Sequence, residues 1–176
     1  MTERDDKLRI GMLFGLALTL DQLSKVLIRQ MMTLGQSISV LGDILRLTYV
    51  ENPGIAFGIR IGNSAIFTVL SILASIGVIV YLVTHWDEDF GVKAGLSLIL
   101  SGAVGNLIDR LLFGHVADFI DMGIGSLRWY VYNIADASVV IGMVVLCYTV
   151  YFKPKKGTAV QNDTETIQED TIREVG

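Results

Sequence analysis

The chain has 176 residues, 52% of them hydrophobic and only 18% charged, with a mean hydropathy of +0.55. Soluble domains carry about 25% charged residues, so the composition points to a membrane protein; two prolines and a single cysteine exclude collagen-like and disulfide-stapled chains, and the apolar content excludes disorder. The net charge of −4 sits at the C-terminal end, where Asp163, Glu165, Glu169, Asp170 and Glu174 face only Arg173; the remainder is balanced and carries no nucleic-acid footprint.

A helix crosses the bilayer core with about 20 apolar residues. Four windows meet this, at about 8–31, 61–84, 92–113 and 129–152, which predicts one membrane domain over 1–156 and a polar, acidic, disordered cytoplasmic tail over 157–176. The first window is apolar through Leu20 and then carries Asp21, Lys25 and Arg29. It is too long before its first polar break for a signal peptide and lacks a small-residue cleavage site, so it reads as a retained helix. Beyond it, Leu45, Leu47 and Tyr49 alternate with Arg46, Thr48 and Val50. After Glu51-Asn52-Pro53-Gly54, Ile55, Phe57, Ile59 and Ile61 alternate with Ala56, Gly58 and Arg60. Period two on both sides of a Pro-Gly turn predicts a pair of strands, forming a small sheet at the membrane surface.

The second window has no charged side chain, and the third closes on Asp109-Arg110. A short extended stretch, His115 to Ile120, precedes the fourth, which runs from Trp129 to Phe152 with Asp136 as its one charge. Cys147 in that window reads as a small core or lipid-facing hydrophobe. Arg4, Lys7 and Arg9 before the first window, and Lys153, Lys155 and Lys156 after the fourth, place both termini in the cytoplasm.

An ionisable group inside a span costs about 2.5–3.5 kcal/mol, so each needs a reason. In this orientation Asp21, Lys25, Asp109, Arg110 and Asp136 all fall in the outer halves of their helices and converge on one side of the bilayer. Asp21 and Lys25, four apart, suit an ion pair that clasps the end of the first span. Asn106, Asp109 and Arg110 share one helix face. Asp109 reads as a packing residue, while the Arg110 guanidinium suits a carbonyl or phosphate ligand, or snorkels to the headgroups. Asn133 and Asp136 stand three apart, with Asp136 about 10 Å into its span at 1.5 Å per residue. A lone carboxyl at that depth is neutralised or faces a polar cavity with a partner. Asp118, just beyond the third span, is one candidate partner and Asp121 competes with it. Paired carboxyls share a proton, one serving as base towards water and the other as acid towards a carbonyl. A proton-relay carboxylate in a transporter produces a similar pattern, and a non-catalytic scaffold is a third reading. His85 lies on the inner side and His115 on the outer, so no two-His metal set forms, and no cofactor motif is present.

Five motifs in order, Asp-Gln-Leu-Ser-Lys (21–25), Asn-Pro-Gly-Ile-Ala-Phe (52–57), Gly-Asn-Leu-Ile-Asp-Arg (105–110), Val-Ala-Asp-Phe-Ile (116–120) and Tyr-Asn-Ile-Ala-Asp (132–136), closely resemble those of the bacterial lipoprotein signal peptidase (signal peptidase II) family. The resemblance runs from about Leu8 to Phe152. It implies a four-helix membrane α-helical fold with a small extracytoplasmic β-sheet cradle from the first outer loop. The implied activity is that of an aspartyl endopeptidase of the bacterial cytoplasmic membrane, with its site facing outwards. It would remove signal peptides from diacylglyceryl prolipoproteins by cutting before the lipidated cysteine. By motif, Asp118 and Asp136 resemble the catalytic dyad. Asn52, Gly54, Asn106, Arg110 and Asn133 resemble substrate-holding residues and Asp21 a stabilising position, beside which Lys25 and Asp109 keep the structural roles read from their spacing. The resemblance further implies membrane lipids and cyclic peptide inhibitors such as globomycin as partners, no nucleic acid, and no metal or cofactor. Ala117 and Ala137, beside the two aspartates, depart from the larger aliphatic and the serine common there.

Overall fold

The computed structural model describes residues 2–56, 59, 60 and 64–152; the tail at 157–176 lies outside them, as do Phe57, Gly58 and Ile61 of the alternating stretch. Four helices are long and apolar enough to cross a membrane: α1 (Glu3–Met31), α2 (Ser64–Thr84), α3 (Phe90–Phe113) and α4 (Ile134–Phe152). At 1.5 Å per residue each spans about 28 Å or more, the thickness of a hydrocarbon core. The burial pattern inverts that of a soluble bundle. Leu8, Met12, Leu16, Leu20, Leu23 and Leu27 of α1 are exposed, whereas Asp21, Lys25, Asp109 and Asn133 are at most 1% exposed. Apolar side chains turned outwards around a polar interior are stable only in lipid, and the chain is a multi-pass membrane protein.

The helix ends follow local chemistry. At α1, Thr2 and Asp5 form a reciprocal capping box. Asp89 accepts from the Gly91 N–H at 2.8 Å to start α3, and Gly114 ends it in the left-handed region at φ 78°. The fourth span begins at Ile134 and not at Trp129, because residues 129–133 run extended beside a strand and Asn133 then caps the helix. Asp136 therefore stands in the first turn of α4 and not two turns inside it.

The sheet at one end of the helices draws on both the α1–α2 and the α3–α4 connections. Strands β1 (Ser37–Leu41), β2 (Leu45–Asn52), β5 (Val116–Ile124) and β6 (Leu127–Arg128) lie in the order β1-β2-β5-β6. Among the described residues, short strands β3 (Ile55–Ala56) and β4 (Ile59–Arg60) pair only with each other. The expected pairing across Pro53-Gly54 is thus corrected: β2 pairs with β1 on one side and with β5, seventy residues later in the chain, on the other. The reason is burial. Tyr49 of β2 packs with Ala117 and Phe119 of β5 over Ile28 of α1 and Met32 just after it, which seats the sheet on the end of the bundle.

Helices α3 and α4 touch through glycine. A Cβ at Gly102 would collide with the Ala135 carbonyl oxygen and stand 2.6 Å from Val139 Cγ2. A Gly102→Ala change is expected to cost about 1–3 kcal/mol, since close-packed interiors resist added volume. It should also lower turnover, because Ala135 adjoins Asp136; thermal melts in lipid and initial rates check both. At the opposite end of the bundle from the sheet, Lys93, 4% exposed, pairs with Asp6 at 2.9 Å, an ion pair that joins the starts of α1 and α3.

Candidate active site

Asp118 lies on β5, opposite Val50 of β2, and is 3% exposed. The chain returning from the β5–β6 hairpin bonds back to β5: Phe119 N–H donates to Tyr132 O at 3.0 Å, and Tyr132 N–H to Ile120 O at 3.1 Å. This bridge carries Asn133 to Asp118, and Asn133 Nδ2 donates to Asp118 Oδ1 at 2.6 Å. The same Asn133 caps α4: its Oδ1 accepts from Asp136 N–H at 2.9 Å, and its own N–H faces Asp136 Oδ2 at 3.3 Å. The reciprocal bonds make a capping box whose acidic member is Asp136. One asparagine thus bonds to both carboxylates.

Two further amides complete the ring. Asn52, at the end of β2, donates from Nδ2 to Asp118 Oδ2 at 2.9 Å while its Oδ1 accepts from Gly54 N–H at 3.0 Å. Gly54 holds φ 128°, where a side chain would strain the backbone, so it serves the cluster through Asn52. Asn106 of α3 donates to Asp136 Oδ1 at 2.7 Å. Both carboxylates are ringed by donors.

Under this ring lies a balanced set of buried charges. Lys25 Nζ is 2.8 Å from Asp21 Oδ2, 3.4 Å from Asp109 Oδ2 and 2.9 Å from Asn106 Oδ1. Asp21 Oδ1 accepts from Ala135 N–H at 2.8 Å, so α1 caps a backbone donor of α4. Asp109 Oδ2 accepts from Ala117 N–H at 3.0 Å, which ties the strand to α3 one residue before Asp118. Arg29 pairs with Asp109 at 2.9 Å and stacks 4.0 Å over the Phe113 ring. The predicted dyad, Asn106, Asn133, Asn52 and the clasp residues are therefore brought together. Arg110 stands beside the ring without a hydrogen bond to it among the described residues: its charge acts on Asp136 and Asp118, while its Nη1 lies 3.4 Å from Ser71 Oγ and its guanidinium 5.7 Å from the Phe67 ring centre, both on α2. Asp121 is three residues from Asp118, hence on the other strand face. There it accepts from Thr48 at 2.8 Å and Arg128 at 2.7 Å. Partial burial works the other way, but Arg128 and Thr48 hold its carboxyl below the usual range.

Sequence reasoning missed three parts of this assembly. Gln22 donates to Asp21 and to the Gly105 carbonyl, and Arg29 completes the charge set. Arg29 is four residues beyond Lys25, so helical spacing put it on the polar face. Asp43 forms a cluster with Arg46, Arg128 and Gly125 at the far end of the sheet, for which no local signal existed.

The two ringed carboxylates thus stand where the helix ends meet the sheet, and relatives of the chain give its class: a membrane peptidase. The profile of the signal peptidase II (SPase II) family matches residues 13–152. The chain is 41% identical over 134 residues to the lipoprotein signal peptidase of Moorella thermoacetica, covering 76% of this chain and 86% of that one. It is 43% identical over 142 residues to that of Clostridioides difficile, covering 80% and 93%. A bacterial membrane enzyme solved by the in meso method superposes with a TM-score of 0.74 at 29% identity, covering 85% of this chain and 94% of that one. The chain belongs to the signal peptidase II family.

Proposed function

We propose that Asp118 and Asp136 are the catalytic dyad of an endopeptidase that removes the signal peptide from diacylglyceryl prolipoproteins, cutting just before the lipidated cysteine. The observation that carries this reading is Asn133, hydrogen-bonded to both carboxylates. Carboxyls held this close share one proton. The charged partner takes a proton from water as the water oxygen attacks the scissile carbonyl, and the protonated partner gives its proton to the carbonyl oxygen. On collapse of the diol the C–N bond breaks. The leaving amine takes up the proton drawn from water, and the diol returns the other to the acid.

A substrate with two acyl chains arrives sideways from the lipid, so its scissile bond reaches the helix ends where the dyad stands. Asp21, Lys25 and Asp109 hold the carboxylates' supports, while Arg110, Asn106, Asn52, Asn133 and Gly54 serve the substrate peptide. A proton-coupled transporter fits less well, since α3 carries no charged side chain between Lys93 and Asp109. The basic residues near both ends favour cytoplasmic termini and an outward-facing site in the bacterial inner membrane. Exposed Trp129 and Tyr130, just before α4, suit the headgroup layer of the surrounding lipids. A cyclic peptide such as globomycin is expected to compete with substrate at this site. The membrane domain is read as 1–156, with 153–176 outside the described residues.

Burial, and then the neighbouring Asp136, push the Asp118 carboxyl up to about 7, against the opposing pull of Asn52 and Asn133. A raised carboxyl is protonated below that value and loses its proton above it. Turnover of a purified diacylated prolipoprotein in lipid is therefore expected to fall as pH rises through about 7. A plateau extending well above that would contradict Asp118 as the acid.

A further inference from the structure

The wiring of the two aspartates differs, and the difference starts at a cation. Each of the three amides has its oxygen end fixed by a neighbour that can only donate. For Asn52 the donor is Gly54 N–H, and for Asn133 it is Asp136 N–H. For Asn106 it is the Lys25 ammonium, with Asn133 Nδ2 adding a second donor at 3.1 Å. The Asn106 oxygen must face Lys25, so its NH2 must face Asp136, where it donates at 2.7 Å. Asn133, which donates to Asp118, is oriented by a backbone N–H and not by a cation. Asp136 also occupies the first turn of α4, where exposed N–H groups favour negative charge.

We infer that Lys25 is a positioning residue for the reaction: by orienting Asn106 it keeps Asp136 as the charged base and leaves the shared proton on Asp118. This rests on the dyad reading above. Lys25 is fully buried at 0% exposure, and its three donors meet Asp21, Asp109 and Asn106. The charged groups around Asp136 are Lys25 and Asp21 from α1, Arg110 from α3 and Asp118 from β5. With Asp21 and Asp109 balanced by Lys25 and Arg29, the chain from Lys25 through Asn106 is the directed route by which a positive charge reaches the base. During turnover Asp136 takes the proton from water while Asn106 holds still.

The test is the pH dependence of kcat for full-length Lys25→Gln in lipid, on a diacylated prolipoprotein. The double variant Asp21→Asn/Lys25→Gln keeps the buried set neutral should the single variant fold poorly. An uncharged glutamine holds Asn106 less firmly. The acid limb of the kcat profile is expected to move up by about one pH unit. kcat should fall roughly 10- to 100-fold, a share of the acid–base contribution, with KM within about twofold. A folded variant with lowered melting temperature but an unmoved acid limb would overturn the inference and leave Lys25 a purely structural residue. Failure of the underlying dyad reading shows up separately, as turnover retained by Asp118→Asn or Asp136→Asn.

Discussion

Asp118→Asn and Asp136→Asn are each expected to abolish prolipoprotein cleavage, by about 10³-fold or more, while the protein remains folded. Asparagine has the shape of aspartate but neither accepts a proton from water nor gives one to a carbonyl. At Asp118 it keeps one acceptor for the Asn52 and Asn133 amides and loses the other, a cost of about 1–3 kcal/mol. Removing one of two adjoining carboxyls also relieves their repulsion, so the melting temperature should move little. At Asp136 the amide oxygen still completes the cap on α4 or accepts from Asn106, but not both. Initial rates in lipid, read beside thermal melts, decide the matter. Near-normal turnover in either variant would remove that residue from the chemistry.

The second large effect is on stability. Asp21→Ala strips Lys25 of its nearest counter-ion at 2.8 Å and leaves Ala135 N–H without its acceptor. Breaking a buried pair from one side leaves an uncompensated charge and costs about 3–5 kcal/mol. Asp21→Asn should recover much of this, because an amide oxygen still accepts from Ala135 N–H or from Lys25. The order of melting temperatures is expected to be wild type, then Asp21→Asn, then Asp21→Ala by a wide margin. An Asp21→Ala protein as stable as the wild type would mean that this buried cluster does not hold α4 to α1.

What could be read from the chain divides along physical lines. The four spans were legible because twenty apolar residues form a signal that needs no partner. The start of α4 was blurred by the same averaging: Trp129 to Asn133 are apolar enough to extend the window, yet they pair with β5. Asn133 followed three residues later by Asp136 was a capping signature that marks the true boundary. Alternation identified β2 but not its partner, since pairing with β5 depends on what Tyr49 and Phe119 bury together and not on the Pro53-Gly54 turn. Asp118 and Asp121 stayed equivalent while that segment had no register. As a strand, it turns them to opposite faces, and only Asp118 meets Asn133. The Asp21–Lys25 pair was visible at helical spacing. Its junctions with Asn106, Asp109 and Ala135 were not, because each lies more than eighty residues away.

In the proposed mechanism water is activated directly between two carboxyls, without a covalent intermediate. Its most direct test is a single turnover of the purified protein on a diacylated prolipoprotein in water labelled with heavy oxygen, read by mass spectrometry. The expected result is a cut just before the lipidated cysteine, with one heavy oxygen in the new carboxylate of every released signal peptide and none in the protein. Signal peptide released without the label would show an aspartate attacking the substrate itself, and would contradict the shared-proton mechanism.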